Sequence, residues 1–266
     1  MKDKAKADKQ FSSKTYESPL FNTILGDTLH PGGLSLTERV GELSQLEESS
    51  LVLDIACGKG VTACFLARQY GCHVIGIDLS AELLSLARNT AQRERLSDKV
   101  EFFTGDGERL PYKDSLFDAV ISECSFSLLP NKSVAAVEIR RVLKTGSRLV
   151  MTDVFLRGQL SEGLRSQAGF ASCIAGAKTI DEYIKLFEEL GFSRHYVEDH
   201  SEALMKVAYQ AVVTYGSWEA FAGQVWEAAR NPVEQKDAIA EGTPWKVLFK
   251  EGRPGYALLV FTKPDG

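Results

Sequence analysis

The chain has 266 residues, a formal net charge of -5 and 44% apolar residues, which suits one α/β domain with an insertion or two small domains. Its acidic balance and lack of a basic stripe exclude a nucleic-acid partner. No apolar run reaches the ~20 residues that span a bilayer, and we expect no export signal. With five cysteines and no CxxC pair, reduced thiols in the cytoplasm are expected. The lysines of residues 1–14 are interpreted as a solvated, frayed end.

The apolar pattern predicts strands that alternate with helices. After a helix over 34–46, it predicts strands over 51–55, 72–77, 100–104, 117–122 and 148–154, separated by helices over 61–70, 81–92 and 133–143. This rhythm indicates an α/β, Rossmann-like, doubly wound sheet that is mostly parallel. Later residues favour helices, one of them with a capping box at Thr179 and Glu182. Strands over 192–197 and 256–262 bring the predicted sheet to seven.

The loop after the first strand carries the main site signal. Its sequence LDIACGKG places Asp54 at the strand end and Gly58 and Gly60 before the next helix. Ligands of open α/β sheets bind there, where glycines let the backbone approach and a helix N-terminus favours an anion. Asp78 ends the second strand, where a carboxylate can bind ribose hydroxyls. Because residues 58–63 fit G-x-G-x-x-A, both NAD and adenosine-type ligands remain open.

Further candidates follow the later strands. The carboxylate of Asp106 can accept from an exocyclic amine, and Gly107 can admit a ring beside it; a plain turn is the alternative. Glu123 and Cys124 end the fourth strand at the same edge, although Cys124 fits a buried packing role equally well. His195 is a further candidate base, but a lone histidine is more often structural. Trp218, Trp226 and Trp245 fit core or dimer packing better than a substrate wall, so a homodimer stays open.

These pieces, in this order, resemble class I S-adenosylmethionine-dependent methyltransferases, above all the branch of quinone-biosynthesis and arsenite methyltransferases. The resemblance is clear over residues 31–154 and implies S-adenosyl-L-methionine as the cofactor. In the family's first motif, D/E-x-G-x-G-x-G, Ala56 replaces the first glycine. The implied contacts are Asp54, Ala56, Gly58 and Gly60 around the methionine half, Gly32 and Gly33 at its carboxylate, Asp78 at the ribose, Leu79 against adenine, Asp106 and Gly107 at the adenine amine, and Ser122 under the sulfonium.

The acceptor is expected to be a small molecule. Methyl transfer from a sulfonium is an in-line displacement in which the protein mainly positions the reactants and excludes water, so no triad is required. The catalytic candidates are His30, Glu123, Cys124, Cys173 and His200. Residues near Cys173 are similar to a segment of arsenite methyltransferases in which a cysteine binds the metalloid; no other metal site is expected.

The predicted organisation has four parts. They are a flexible N-terminal segment or lid (1–33), a cofactor-binding core (34–156), a mainly helical acceptor or lid region (157–250) and a strand that returns to the sheet (251–266). Three alternatives to a general small-molecule methyltransferase stay open: arsenite methylation through Cys173, an NAD-dependent oxidoreductase, and a protein that binds S-adenosylmethionine without catalysis.

Overall fold

The computed structural model describes residues 2–161, 173–217, 220–221, 223–224 and 245–265. Its strands are β1 (Leu51–Ile55), β2 (His73–Asp78), β3 (Val100–Thr104), β4 (Phe117–Glu123), β5 (Leu143–Leu156), β6 (Ser193–Asp199) and β7 (Pro254–Thr262). The helices of these residues are α1 (Lys2–Glu17), α2 (Pro19–Leu25), α3 (Gly33–Ser44), α4 (Val61–Tyr70), α5 (Ala81–Glu94), α6 (Lys132–Val142), α7 (Cys173–Gly176), α8 (Ile180–Glu188), α9 (Ser201–Tyr215) and α10 (Trp245–Gly252). Short 3₁₀ helices span Gly26–Thr28 and Phe126–Leu128.

The seven strands form one sheet in the order β3-β2-β1-β4-β5-β7-β6. β7 is antiparallel to both of its neighbours, and the other pairs are parallel. The predicted fold class is therefore confirmed. The strand order reverses between β1 and β4, and in such sheets a crevice opens there at the carboxyl ends of the strands.

β1 illustrates why the sheet is buried on both faces. Val52 packs into the apolar cluster that α3, α4 and α5 share, whereas Leu53 packs into the cluster of α6 and α8. Both side chains are fully buried. Burial of each such side chain contributes about 1.5–3 kcal/mol, and helices on both faces hold the strand ends in place.

Several predicted boundaries are confirmed. β1, β3 and α4 span the predicted residues. The predicted capping box is present at the N-terminus of α8, where the Glu182 amide donates to Thr179 Oγ1 at 3.2 Å. β5 is longer than predicted because Leu143 pairs with Phe117 and because the antiparallel pairing with β7 extends to Leu156. These pairings are long-range, so the local pattern does not show them.

The N-terminal stretch differs from its prediction. It forms helix α1 instead of a frayed end, and the Lys9 side chain is only 15% exposed and ion-paired, not solvated. A polar sequence gives little helix signal, and most helical stability in proteins comes from tertiary packing, which here is the docking of α1 over the sheet edge. Trp218, Trp226 and the side chain of Trp245 lie outside the described residues. In the described part of the chain, no helix has the length and apolarity needed to cross a membrane.

Candidate active site

A cleft lies at the carboxyl ends of β1, β2 and β4, under helix α1. Its empty volume is about 830 Å³, which includes the open solvent at its mouth. The strand ends and the glycine loop contribute Asp54, Ala56, Cys57, Gly58, Asp78, Leu79, Glu123, Cys124 and Ser125 to its wall. Helix α1 contributes Lys9, Ser12, Ser13 and Tyr16. The cleft is thus built from segments more than one hundred residues apart.

The glycine loop turns through left-handed backbone. Ala56, Gly58 and Gly60 have φ values of 58°, 52° and 71°, a region that costs a residue with a β-carbon roughly 1–2 kcal/mol. Gly60 does not line the cleft, because a β-carbon there would lie 2.5 Å from the ring of Phe102. Its role is close packing of α4 on the core, whereas Ala56 and Gly58 form the cleft wall.

Asp78 connects the end of β2 to the glycine loop. Its Oδ2 accepts from the Gly58 amide at 3.0 Å and its Oδ1 from the Ser80 amide at 2.8 Å. Burial raises the pKa of Asp78, and these backbone hydrogen bonds oppose the rise. The carboxylate therefore fixes the loop, and each oxygen keeps a lone pair for a ligand. Leu79 beside it is 41% exposed and lines the cleft.

Asp54 is the unsatisfied group of the cleft. It is 2% exposed, and its Oδ2 has no hydrogen-bond partner among the described residues. Burial, and then the charges of Glu123 and Asp78, raise its pKa well above the ordinary value. Because a buried polar atom without a partner is costly, this position favours a ligand with a cationic donor.

Glu123 and His30 form a buried pair. Glu123 Oε2 lies 3.4 Å from His30 Nε2 and accepts from Thr62 Oγ1 at 2.5 Å, and Thr37 Oγ1 lies 3.2 Å away. Both members of the pair have side chains no more than 4% exposed. His30 Nδ1 lies 3.1 Å from the carbonyl of Pro31; a carbonyl only accepts, so Nδ1 carries the proton. In the neutral ring Nε2 is then the acceptor.

Cys173 contacts two residues of the cleft wall, Cys124 and Tyr16. The two Sγ atoms are 3.6 Å apart, and the Tyr16 hydroxyl lies 3.0 Å from Cys173 Sγ. Leu128 and Leu129 line the cleft beside them. The cleft lining therefore includes apolar side chains and a thiol as well as the acidic strand ends. Among the residues that the structure describes, no group of three or more His, Cys, Asp or Glu is arranged to hold a metal ion.

Other predicted site residues lie apart from this cleft. Asp106 is covered by Lys9, whose Nζ lies 2.9 and 2.7 Å from its two carboxylate oxygens. Ser122 is fully buried and hydrogen-bonds Ser125, which does line the cleft. Gly107 packs close to Ile55, because a β-carbon on Gly107 would lie 3.0 Å from an Ile55 side-chain carbon.

Three more of the predicted site residues lie at the border of a second groove. Gly32, Gly33 and His200 lie between α3 and α9, where His200 Nε2 is 2.8 Å from Glu198 Oε2. His195 lies on the edge strand β6, near Arg148. Three of the catalytic candidates, His30, Glu123 and Cys124, therefore line the cleft. Cys173 lies against Cys124, and His200 lies outside the cleft.

Sequence reasoning missed Lys9, Tyr16, Thr37 and Thr62. Thr62 follows the glycine loop by two residues, so the assumption that the first turn of α4 faces the ligand could have identified it. Lys9 and Tyr16 of α1 had no comparable signal, because the local sequence does not show which loop a polar helix packs against.

A doubly wound sheet with acids at the ends of β1, β2 and β4 and a glycine loop between them defines the class of Rossmann-like, S-adenosylmethionine-dependent methyltransferases. The chain belongs to the methyltransferase domain family, which matches residues 46–191. It is 34% identical to the methyltransferase GfsG of Streptomyces halstedii over 90% of this chain and 83% of that protein. The oxidoreductase alternative is therefore wrong.

Two further likenesses span nearly the whole chain. The 27-O-demethylrifamycin SV methyltransferase of Amycolatopsis mediterranei is 28% identical, over 90% of this chain and 86% of its own. The crystal structure of the cyclase SpnF superposes with a TM-score of 0.74 at 25% identity, over 96% of this chain and 98% of that one. Solved methyltransferases of this fold contain S-adenosylmethionine or S-adenosylhomocysteine, and S-adenosylmethionine is the cofactor of this enzyme.

Proposed function

We propose that the enzyme transfers the methyl group of S-adenosylmethionine to an oxygen atom of a small, largely apolar molecule. The observation that carries the proposal is the mixed lining of the cleft, which combines the buried acids Asp54 and Glu123 with the apolar side chains of Leu128 and Leu129. The name of the rifamycin relative, which matches over nearly its whole length, places its methyl group on an oxygen.

The acidic end suits the cofactor's charge. Asp54, Asp78 and Glu123 are all buried around it, and in a poorly solvated site their field favours cations and repels anions. S-adenosylmethionine supplies an electrophilic methyl group on a cationic sulfonium and also carries an ammonium. Asp54, with its unsatisfied oxygen, is proposed to bind that ammonium. A dinucleotide would instead bring its anionic pyrophosphate to these carboxylates.

The remaining cofactor contacts are proposed from the same cleft. Ala56 and Gly58 would lie along the methionine half, Asp78 would accept from the ribose hydroxyls, and Leu79 would cover the adenine. Asp106 would take the adenine amine alongside Lys9, since an ionised carboxylate offers about four lone-pair sites. Gly107 would lie beside the ring.

Three of the residues that the resemblance implies for cofactor binding do not line the cleft, and indirect roles are proposed for them. Gly32 and Gly33 lead from His30 into α3, so they are proposed to set the position of His30 and of the carboxylate contact. Ser122 is proposed to act through Ser125, its hydrogen-bond partner on the cleft wall.

A proton must leave a hydroxyl acceptor as its oxygen is methylated. His30 Nε2 is the acceptor of a ring whose Nδ1 proton is held by the Pro31 carbonyl, and Glu123 lies where it can stabilise the imidazolium. We therefore assign His30 as the candidate base, with the Pro31 carbonyl orienting the ring through Nδ1 and Glu123 stabilising the imidazolium from the Nε2 side.

The test is release of S-adenosylhomocysteine from a panel of phenols, aliphatic alcohols, amines, thiols, carboxylates and arsenite. We expect turnover with apolar hydroxyl compounds and none with small amines. Turnover with arsenite alone would favour the metalloid alternative. Tight binding of S-adenosylhomocysteine without turnover on any acceptor would favour a non-catalytic cofactor-binding protein.

A further inference from the structure

Two neighbouring thiols at the cleft wall, Cys124 and Cys173, come from distant parts of the chain. Cys124 follows β4 and Cys173 begins α7, yet their Sγ atoms are 3.6 Å apart. A disulfide needs a separation of about 2.05 Å, so the sulfurs must approach each other by about 1.5 Å to bond. Both residues are buried, and Cys124 lines the cleft, which gives a small reagent access from the mouth.

The backbone is shaped to make this contact. Cys124 has a φ of 52°, a left-handed conformation that is unusual for a residue with a side chain. On the other side, α7 packs directly on the chain before Leu128, because a β-carbon on Gly176 would lie 2.0 Å from the Ser127 carbonyl oxygen. Such close docking, which only glycine allows, places Cys173 against Cys124.

We propose that Cys124 and Cys173 are a modification site, a dithiol that a hydroperoxide or a small-molecule disulfide converts reversibly to a disulfide. With hydrogen peroxide, the Cys173 thiolate attacks one oxygen and the O–O bond breaks, which gives a sulfenic acid and, after protonation of the leaving hydroxide, water. Cys124 sulfur then displaces the sulfenic hydroxyl as a second water. The two sulfurs lose two electrons and two hydrogens, and the peroxide is reduced to two waters.

The surroundings select Cys173 as the first nucleophile. Hydrogen bonds from Cys124 and from Tyr16 lower the pKa of the Cys173 thiol although burial opposes them. The bond to Cys173, together with burial, raises the pKa of Cys124. In contrast, burial raises the pKa of Cys57, Cys64 and Cys72. A thiol reacts through its thiolate, so reaction at this pair is favoured over the other three.

Oxidation has a consequence for helix α1. The Tyr16 hydroxyl is hydrogen-bonded to Cys173 Sγ, and an uncharged disulfide sulfur is a weaker acceptor than a thiolate. Oxidation therefore weakens a buried hydrogen bond that holds Tyr16. The disulfide is therefore expected to loosen α1, which covers the cleft, and so to couple the redox state of the dithiol to opening of the site.

The test uses the full chain treated with hydrogen peroxide, then with iodoacetamide without reductant. We expect the intact protein to lose the mass of two hydrogens before alkylation, a loss that dithiothreitol reverses, and the alkylated digest to contain a single crosslinked peptide pair, with Cys124 and Cys173. Trypsin should cleave α1 at least about threefold faster after oxidation. These readouts require no methyl acceptor, so they hold or fail separately from the proposed function.

Variants sharpen the result. Cys173→Ser should abolish the link, and Gly176→Ala, which keeps both thiols but displaces α7, should reduce its yield severalfold. The matched control Cys72→Ser removes another buried thiol and should leave the link intact. A link between any other cysteines, or no mass loss in the wild type, would overturn the proposal. The wild-type map decides the question even if a variant does not fold.

Discussion

The ammonium group of Lys9 lies 2.7 Å from a carboxylate oxygen of Asp106 and 2.6 Å from one of Glu108, so a helix at one end of the chain is fastened to the loop after β3. Burial lowers the pKa of Lys9, but the hydrogen bonds to Asp106 and Glu108 raise it by more. The pKa of Lys9 therefore lies above its ordinary value. Lys9 therefore stays charged at all ordinary pH values. Its ion pairs with Asp106 and Glu108, here called the α1 clasp, hold α1 against the loop after β3.

Breaking this clasp should open the cleft. In Lys9→Met we expect amide hydrogen exchange in α1 to quicken by about fivefold, or ~1 kcal/mol, in line with a partly exposed ion pair. Lys14→Met is the matched control, because Lys14 pairs with Glu17 inside the same helix. Equal exchange rates in both variants would show that the clasp does not hold α1.

Removal of the Asp78 carboxylate should weaken cofactor binding. Asp78→Ala loses both the proposed ribose contact and the hydrogen bond that fixes the Gly58 amide, so we expect the affinity for S-adenosylhomocysteine to fall at least about tenfold, or ~1.4 kcal/mol. Asp118→Ala is the control: it removes the bond to the Leu51 amide at the opposite, amino end of the strands. Calorimetric titration measures both, and an unchanged affinity in Asp78→Ala would contradict the assignment.

The buried acids should make the cofactor-free protein less stable as pH rises. Burial raises the pKa of Asp54 well above 3.8 and that of Asp153 to about 6. The folded state therefore keeps protons that the unfolded chain releases, so stability present at low pH is lost as pH rises from about 4, through about 6 for Asp153. For Asp153 the loss is about 3 kcal/mol once pH exceeds its folded pKa.

Asp54→Asn separates the two acids. We expect a higher Tm at pH 7 without cofactor, a weaker dependence of Tm on pH above 6, and at least about tenfold lower affinity for S-adenosylmethionine. The decline between pH 4 and pH 6 should become shallower but persist, because Asp153 still contributes to it. If the variant binds the cofactor as tightly as the wild type, Asp54 does not hold the ammonium.

The buried pair of His30 and Glu123 should act on turnover more than on binding. For a hydroxyl acceptor we expect His30→Gln to lower kcat by about 100-fold, the low end for loss of a general base. Glu123→Gln should give a smaller loss, since it removes the charge that stabilises the imidazolium. Affinity for S-adenosylhomocysteine should change no more than about threefold in His30→Gln. A loss of affinity with unchanged kcat would assign His30 to cofactor binding instead.

Ala56 offers a test of backbone strain. Its φ of 58° is one that glycine adopts without cost, so Ala56→Gly should relieve roughly 1 kcal/mol of strain. The greater freedom of glycine in the unfolded chain offsets about half of that gain. Thermal melting should show a Tm equal to or slightly above that of the wild type. A clear fall in Tm would mean that the Ala56 methyl group packs usefully in the cleft wall.

The sequence by itself determined the sheet and the edge at which the site lies. Alternating strands and helices follow from local apolar patterns, and residues at the ends of parallel strands meet at one edge whatever the rest of the chain does. The position of Asp54, Gly58 and Asp78 at that edge, where they line the cleft, therefore follows from their spacing. The resemblance added the cofactor, because the glycine loop alone is compatible with NAD.

Only the tertiary structure decided which side chains meet across that edge. Lys9 reaches Asp106 over 97 residues, and Cys173 reaches Cys124 over 49. The burial of His30 beside Glu123 likewise depends on where α3 packs. These contacts follow from the docking of polar or short elements, α1 and α7, whose positions are set by long-range packing and by one glycine that permits close approach. No periodicity in the sequence encodes such contacts, since the energy that selects them arises only when the elements are assembled.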